Sequence, residues 1–296
     1  MNTITLKAPA KINTVLDIKG LYPNGYHILD MIMLSIDLCD ELSLTKIPEN
    51  EIKLYISGSE IAADSSNLVY KAIDTMKKRY DIKTGVKAVL EKKIPSSAGL
   101  GGGSADCAAA IKGMIKLFDI KAESSEIYSI GKALGADVPF CLYQKCARAE
   151  GIGEILTPLP DLPPCFILLA KPSEGMPTLK AFKEYDRLEN KTHIDTEKAI
   201  ECMKKADLKG ICENMGNVLE AVTIKNIPVV GEIKAEMINQ GALGALMSGS
   251  GSSVFGIFKD EAALNKAYSV IKEKFNLSEI FMTQPLENSE CGSLDI

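Results

Sequence analysis

Ser96-Ser-Ala-Gly-Leu-Gly-Gly-Gly-Ser104 places four glycines within five residues, directly ahead of a stretch with helical apolar spacing. Such a run cannot be the interior of a helix or strand. Its glycines let backbone approach a ligand and aim successive N–H groups into one concavity, and the start of a helix adds about half a positive charge. The chemistry this suits is anion binding, most often of phosphate; the plain alternative is a flexible glycine-rich turn. Asp137 lies in Gly135-Ala-Asp-Val-Pro139. It could be an ordinary turn residue, or a carboxylate that orients or deprotonates a hydroxyl during phosphoryl transfer. The proline predicts extended backbone at Val138. Lys11 lies in the apolar run Ala10-Lys-Ile-Asn-Thr-Val15. Facing inward, it needs a carboxylate partner or an anion; facing outward, it would snorkel to water. Tyr26 and His27 follow the turn pair Asn24-Gly25. A histidine in a turn is ordinarily just solvated, yet an aromatic face beside a polar edge is also what a flat base needs.

The familiar phosphate loops do not fit. The dipeptide Gly131-Lys132 is followed by Ala133, so G-x-x-x-x-G-K-[ST] is absent. A dinucleotide fingerprint starting at Gly99 would need glycine where Ser104 stands. Neither H-R-D nor D-F-G occurs, so no eukaryotic-type kinase signature is present.

Composition narrows the field. With 46% hydrophobic and 25% charged residues over 296 positions, the chain reads as globular and long enough for two domains. The net charge of −5 and the absence of a Lys/Arg run argue against a nucleic-acid partner, as does the lack of Trp. A small anionic ligand stays open, because a pocket's field is local. The eight cysteines are scattered without a C-x-x-C pair, which reads as reduced thiols in a cytoplasmic protein. His27 and His193 are far apart, and neither has a cysteine at ligand spacing. The first residues lack the apolar core of a signal peptide, and no stretch approaches the ~20 apolar residues of a membrane span, so no membrane partner is expected.

The elements that must hold these groups follow from periodicity. Strands are expected at 4–6 and 12–18, apolar segments at 31–38, 42–47 and 52–56, and a strand at 86–90. Asn67 is a candidate N-cap for a helix to about Tyr80. A helix from Ser104 to Phe118 puts Cys107, Ala108, Ile111, Met114, Ile115 and Phe118 on one face, with Ser104 as N-cap and Asp106 suited to its positive first turn. A further helix spans 125–134 and stops at Gly135. Leu156 to Pro164 carries four prolines and is the linker candidate. Beyond it, strand 166–170, helices 178–186, 196–206 and 228–239, strands 242–247 and 253–258, helix 261–274 and strand 279–284 are expected. Without the two middle helices, that order is β-α-β-β-α-β, a ferredoxin-like α+β sandwich.

Three motifs in order resemble the GHMP kinases (galactose, homoserine, mevalonate and phosphomevalonate kinases). They are Lys7-Ala-Pro-Ala-Lys-Ile-Asn13, Pro95-Ser-Ser-Ala-Gly-Leu-Gly-Gly-Gly-Ser-Ala105 and Met247-Ser-Gly-Ser-Gly-Ser-Ser-Val-Phe255. Finer features, Gly25-Tyr-His27, Leu134-Gly-Ala-Asp-Val-Pro-Phe140 and Ala149-Glu-Gly-Ile-Gly-Glu154, resemble the branch acting on a cytidine-diphosphate-linked methylerythritol. The family's loop often carries more glycine where Ser96-Ser-Ala98 stands.

The resemblance implies an α+β, two-domain GHMP kinase fold. An N-terminal ribosomal-S5-domain-2-like domain would span 1–160 and a C-terminal ferredoxin-like sandwich 161–296. It implies ATP and Mg²⁺ as cofactors and CDP-methylerythritol as the small-molecule substrate in non-mevalonate isoprenoid biosynthesis. Lys11 would pair with Asp137 as catalytic groups. Pro95, Ser96, Ser97, Ala98, Gly99, Leu100, Gly101, Gly102, Gly103, Ser104 and Ala105 would hold the nucleotide, with Asn67 and Lys92 near the adenine and Ser104 near the metal. Asn13 would lie by the substrate hydroxyl. Tyr26 would stack on the cytosine, His27 read its edge, and Phe182 supply the second stacking face. Another GHMP small-molecule kinase, of the homoserine or mevalonate type, is the near alternative. A non-catalytic nucleotide-binding regulator on the same fold is the distant one.

Overall fold

The computed structural model describes residues 2–286. Its spine is an antiparallel pair of long strands, β1 (Thr3–Leu21) and β2 (His27–Ile47), joined by the Tyr22–Tyr26 turn. Sequence patterning divides each of them in two, because Lys11, Asn13 and Asp40 interrupt the apolar runs. All three side chains are buried. Register shifts between Pro9 and Lys11 and between Asn13 and Val15 mark bulges that re-aim the side chains around the site.

Next come β3 (Ile52–Ser57), α1 (Leu68–Arg79) and β4 (Gly85–Glu91), with β3 and β4 parallel. Asn67 caps α1 as expected: its side chain accepts from the Val69 N–H. The helix carrying the glycine loop, α2 (Gly102–Phe118), starts earlier than the sequence suggests. Its cap is Gly101 in left-handed backbone, so Ser104 lies inside the first turn. Asp106 does not serve the helix terminus either; it is buried against a lysine. The chain continues through α3 (Ser124–Leu134), α4 (Val138–Tyr143), β5 (Ala147–Gly151) and β6 (Ile155–Pro158). Val138 therefore opens a helix and is not the extended residue expected there. Pro139 fits the first helical turn, where no N–H is required. The start of the expected 156–164 linker is the edge strand β6, where a proline costs no ladder bond.

The remaining elements are β7 (Phe166–Lys171), α5 (Thr178–Asp186), α6 (Thr196–Lys204), α7 (Leu208–Glu213), β8 (Gly216–Asn217), α8 (Glu220–Asn226), α9 (Val229–Asn239), β9 (Gly244–Met247), β10 (Val254–Phe258), α10 (Glu261–Lys274) and β11 (Glu279–Thr283). The short elements α4, α7, α8, β5 and β8 have no periodic signal of their own in the sequence.

Two sheets result. The first runs β3-β4-β2-β1-β8, with β5 and β6 attached to β2. The second runs β11-β7-β10-β9 and is antiparallel throughout. With α9 and α10 packed on it, it is the expected ferredoxin-like sandwich. The expected 160/161 boundary falls between β6 and β7, while β8 crosses it to pair with β1.

Ala8 to Leu16 is buried without interruption because both faces of β1 are covered. Ala8, Leu16, Met31 and Met33 belong to the core that includes α2. Ile12, Ile32 and Leu34 pack in a second core with Ile167, Leu169 and Phe255 of the other sheet. The order of layers is helices, sheet, sheet, helices.

Candidate active site

A cleft of about 580 Å³ opens where these layers meet. Its walls include Lys11 and Asn13 of β1, Leu29 and Met31 of β2, residues 95–104, Asp137, Ile152, and Thr178 and Phe182 of α5.

The glycine loop is locked from several directions. The Lys11 N–H donates to the Leu100 carbonyl (2.9 Å), which ties the loop to β1. Gly101 has φ +67°, and a Cβ there would come within 2.9 Å of the Lys11 side chain at Cγ. Gly99, at φ +75°, faces the Ser248 carbonyl, which a Cβ would approach to 2.0 Å. The second glycine turn is thus a brace. Ser248 Oγ donates to the Gly99 carbonyl (2.9 Å), and the Ser253 N–H reaches the Ala98 carbonyl (3.3 Å). That turn is itself pinned by Asn217, whose amide donates to the carbonyls of Met247 (2.8 Å) and Gly249 (2.7 Å). Asn217 carried no sequence signal, because its partners lie far along the chain.

Beneath the loop sits a buried charge cluster. Lys92 donates to Asp40 and to Asp106 (2.7 Å), and Asp40 also accepts from the N–H groups of Lys93 (2.6 Å) and Ile94 (2.8 Å). Burial, and secondarily Asp40, push the Asp106 carboxyl up to about 7 against the pull of Lys92. Lys92 reaches the cleft wall by Gly102, yet its ammonium is committed to these carboxylates. Asn67 is outside the cleft lining: its carboxamide accepts from the Val69 N–H and donates to the Ala62 carbonyl (2.9 Å), so its side chain serves the cap.

At the centre of the cleft, Lys11 Nζ lies 3.6 Å from Asp137 Oδ2 and donates to Asn13 Oδ1 at 2.7 Å. Lys11 is buried and therefore inward; the snorkelling alternative does not hold. Asp137 occupies the cap position of α4 without capping it, which leaves its carboxylate for Lys11 and the cleft. Gly153, at φ +113°, packs by Met31, whose Cε a Cβ there would approach to 3.2 Å, in the turn beside Asp137. Glu154 folds that turn by accepting from the Ile152 N–H (2.7 Å). Ser104 lines the same cleft on the first turn of α2.

At the far end, the ring of His27 lies against that of Phe182, with centroids 4.6 Å apart. Tyr26 stands beside them, 59% exposed. The structure thus brings together Lys11, Asn13, Asp137, the glycine loop and Phe182 around one cleft, with His27 at Phe182. Tyr26, His27 and Asn67 are outside the lining residues.

The thiols take no part. Among the described residues every cysteine is free, and burial pushes those of Cys107, Cys165 and Cys212 up to about 12. Cys291 lies outside the described residues. No helix of the described residues is long and apolar enough to cross a membrane.

Comparison with known proteins agrees with this geometry. Residues 67–145 match the family of GHMP kinases N terminal domain, and residues 199–277 match GHMP kinases C terminal. The chain is 43% identical over 284 residues to a 4-diphosphocytidyl-2-C-methyl-D-erythritol kinase of Lachnospira eligens, covering 96% of this chain and 99% of that one. It is 42% identical over 292 residues to the same-named kinase of Listeria welshimeri, covering 99% of each. Among solved structures, a 4-(cytidine 5′-diphospho)-2C-methyl-D-erythritol kinase superposes with a TM-score of 0.81 at 28% identity, over 96% of this chain and all of that one. A homoserine kinase from Cytophaga hutchinsonii shares the fold, with a TM-score of 0.77 at 20% identity over 96% of this chain and 95% of that one. Glycine loop, Lys11–Asp137 pair and near-full-length identity converge: the chain belongs to the 4-diphosphocytidyl-2-C-methyl-D-erythritol kinase family of the GHMP kinases.

Proposed function

We propose that the chain transfers the γ-phosphoryl group of ATP to the 2-hydroxyl of 4-(cytidine 5′-diphospho)-2-C-methyl-D-erythritol. The observation that carries the reading is the Lys11–Asp137 pair, 3.6 Å apart, in one cleft with the glycine loop and Phe182, against whose ring His27 packs.

The loop's N–H groups and the start of α2 hold the triphosphate. Asp137 accepts a hydrogen bond from the substrate hydroxyl, orients it toward the γ-phosphorus and receives its proton as the O–P bond forms. Lys11 pairs with the carboxylate and offsets negative charge on the attacking oxygen. Asn13 fixes the Lys11 ammonium through the 2.7 Å bond. Phe182 gives the cytosine a face, His27 reads its edge, and Tyr26 stacks from the rim.

Among the described residues, no three His, Cys, Asp or Glu side chains gather as a metal cage. The oxygen donors present, chiefly the Ser104 hydroxyl, suit Mg²⁺ held mainly by nucleotide phosphates. When bound, Mg²⁺ supplies charge neutralisation on the transferring phosphate oxygens.

The test is product analysis by mass and ³¹P NMR, with ATP·Mg²⁺ and the CDP-alcohol, free homoserine or free mevalonate as acceptor. A monophosphate of the CDP-alcohol alone is the expected result. Phosphorylation of a free alcohol in preference would overturn the reading.

A further inference from the structure

Asp186 lies one helical turn beyond Phe182 on α5, so both project from one side of that helix. Together they grip the ring of His27 in two ways. Phe182 lies against its face, and Asp186 Oδ1 meets its Nε2 at 2.8 Å. Asp186 belongs to α5 and His27 to the start of β2, so the contact joins the two halves of the chain. The His27 side chain is only 14% exposed, and its Nδ1 has no hydrogen-bonding partner among the described residues.

We propose that Asp186 is a specificity-determining positioning residue: it fixes His27 as the Nε2–H tautomer, leaving Nδ1 as an acceptor that selects cytosine over uracil. This rests on the reading that His27 and Phe182 hold the base. A carboxylate only accepts, so the ring nitrogen facing it must carry the proton. A neutral imidazole has one proton on nitrogen, and Nδ1 is left with a lone pair. The 4-amino group of cytosine donates to that lone pair. The 4-oxygen of uracil presents a lone pair of its own and repels it. Without Asp186 the ring is free to turn over or to move its proton, and an acceptor at a set position is no longer guaranteed. The tautomer, set by a group that touches no substrate, becomes the specificity element.

The test compares the CDP-alcohol with its uridine counterpart as acceptors. Wild type is expected to prefer the cytidine substrate in kcat/KM. In Asp186→Ala that preference should fall by roughly tenfold, the scale of one oriented hydrogen bond, with KM for ATP unchanged. Asp186→Glu, which keeps an acceptor in reach, should recover most of it. An equal loss on both substrates, or an unchanged ratio, would overturn the proposal. Only two histidines are present, so ¹⁵N NMR of the wild-type imidazoles reads the tautomer directly, whether or not the variants fold. A protonated Nδ1 on His27, with Nε2 bare or protonated as well, would overturn it too. Phe182→Ala separates the two layers. If that variant leaves KM for the CDP-alcohol unchanged, the base-clamp reading fails and this proposal with it. If it raises that KM while Asp186→Ala leaves the ratio alone, only the tautomer assignment fails.

Discussion

The two ends of the cleft are built by opposite means. The end proposed to hold the triphosphate is made of backbone. Its glycines fill spaces that a side chain could not enter, with Ser248 above Gly99, Lys11 against Gly101 and the Lys92–Asp40–Asp106 cluster below. The end proposed to hold the base is made of side chains carried on a turn and a nine-residue helix, partly open to water. A triphosphate is common to all kinases of this fold, and a rigid backbone cradle suits a ligand that never changes. A base is specific to one substrate, and exchangeable side chains on a turn and a short helix can alter it without disturbing the loop. The Lys11–Asp137 pair is tied to the first end through the Lys11–Leu100 bond and the Lys11–Gly101 contact.

Changes at the chemical centre should have the largest effect. Asp137→Asn keeps the shape of the side chain but cannot take a proton, and kcat should drop by about 10²–10⁴-fold. KM for both substrates should move little, because neither end of the cleft is touched. Steady-state kinetics on a variant with an unchanged melting curve checks this. Near-normal turnover would remove Asp137 from the role of base.

The coupling of Lys11 to the loop is tested by Gly101→Ala. The new methyl must share space with the Lys11 stem at a positive φ, a strain of about 1–3 kcal/mol. KM for ATP should rise and kcat fall, each by roughly tenfold or more, since 1.4 kcal/mol is a factor of ten. KM for the CDP-alcohol should stay put. A variant with intact ATP affinity by calorimetry would show that the loop and the catalytic strand are independent.

The smallest expected effect concerns the buried cluster and shows in stability. The Asp106 carboxyl titrates at about 7 in the fold and near 3.8 when unfolded. Between those values the folded protein holds a proton that the unfolded chain has released. Its ionisation therefore costs stability as pH rises from about 4 to about 7, and the loss levels off above that. Asp106→Asn has no such proton to lose. Urea unfolding at pH 5 and pH 8 should show the variant gaining on wild type at the higher pH. A difference that does not change with pH would mean that Asp106 is ionised throughout.

The same division decides what could be read from sequence alone. The glycine loop was legible because its constraint is conformational, and each glycine announces it at its own position. The ferredoxin-like half was legible because its helices and strands alternate with clean periodicity. Lys11 and Asp137 stood out by type, but only the fold shows that they meet. Asp106 looked like an acidic residue placed for a helix terminus. Periodicity gives the face of a helix and says nothing of a lysine waiting across the core. Ser104 looked like a cap because serine usually is one, yet Gly101 takes that place through a left-handed backbone that serine disfavours. Asn217 and Asp186 had no signal at all, since their partners are far away in the chain.

The division of labour between the two ends is tested most directly by Phe182→Ala, with KM measured separately for the CDP-alcohol and for ATP. Loss of one stacking face is worth roughly 1–3 kcal/mol, so KM for the CDP-alcohol should rise about 10–100-fold. KM for ATP should stay within about twofold, because the brace meets α5 at Thr178, through its 2.9 Å contact with the Ser250 hydroxyl, and that residue is left in place. A rise in KM for ATP with the CDP-alcohol spared would place the nucleotide donor at the His27–Phe182 end and contradict the assignment of both ends.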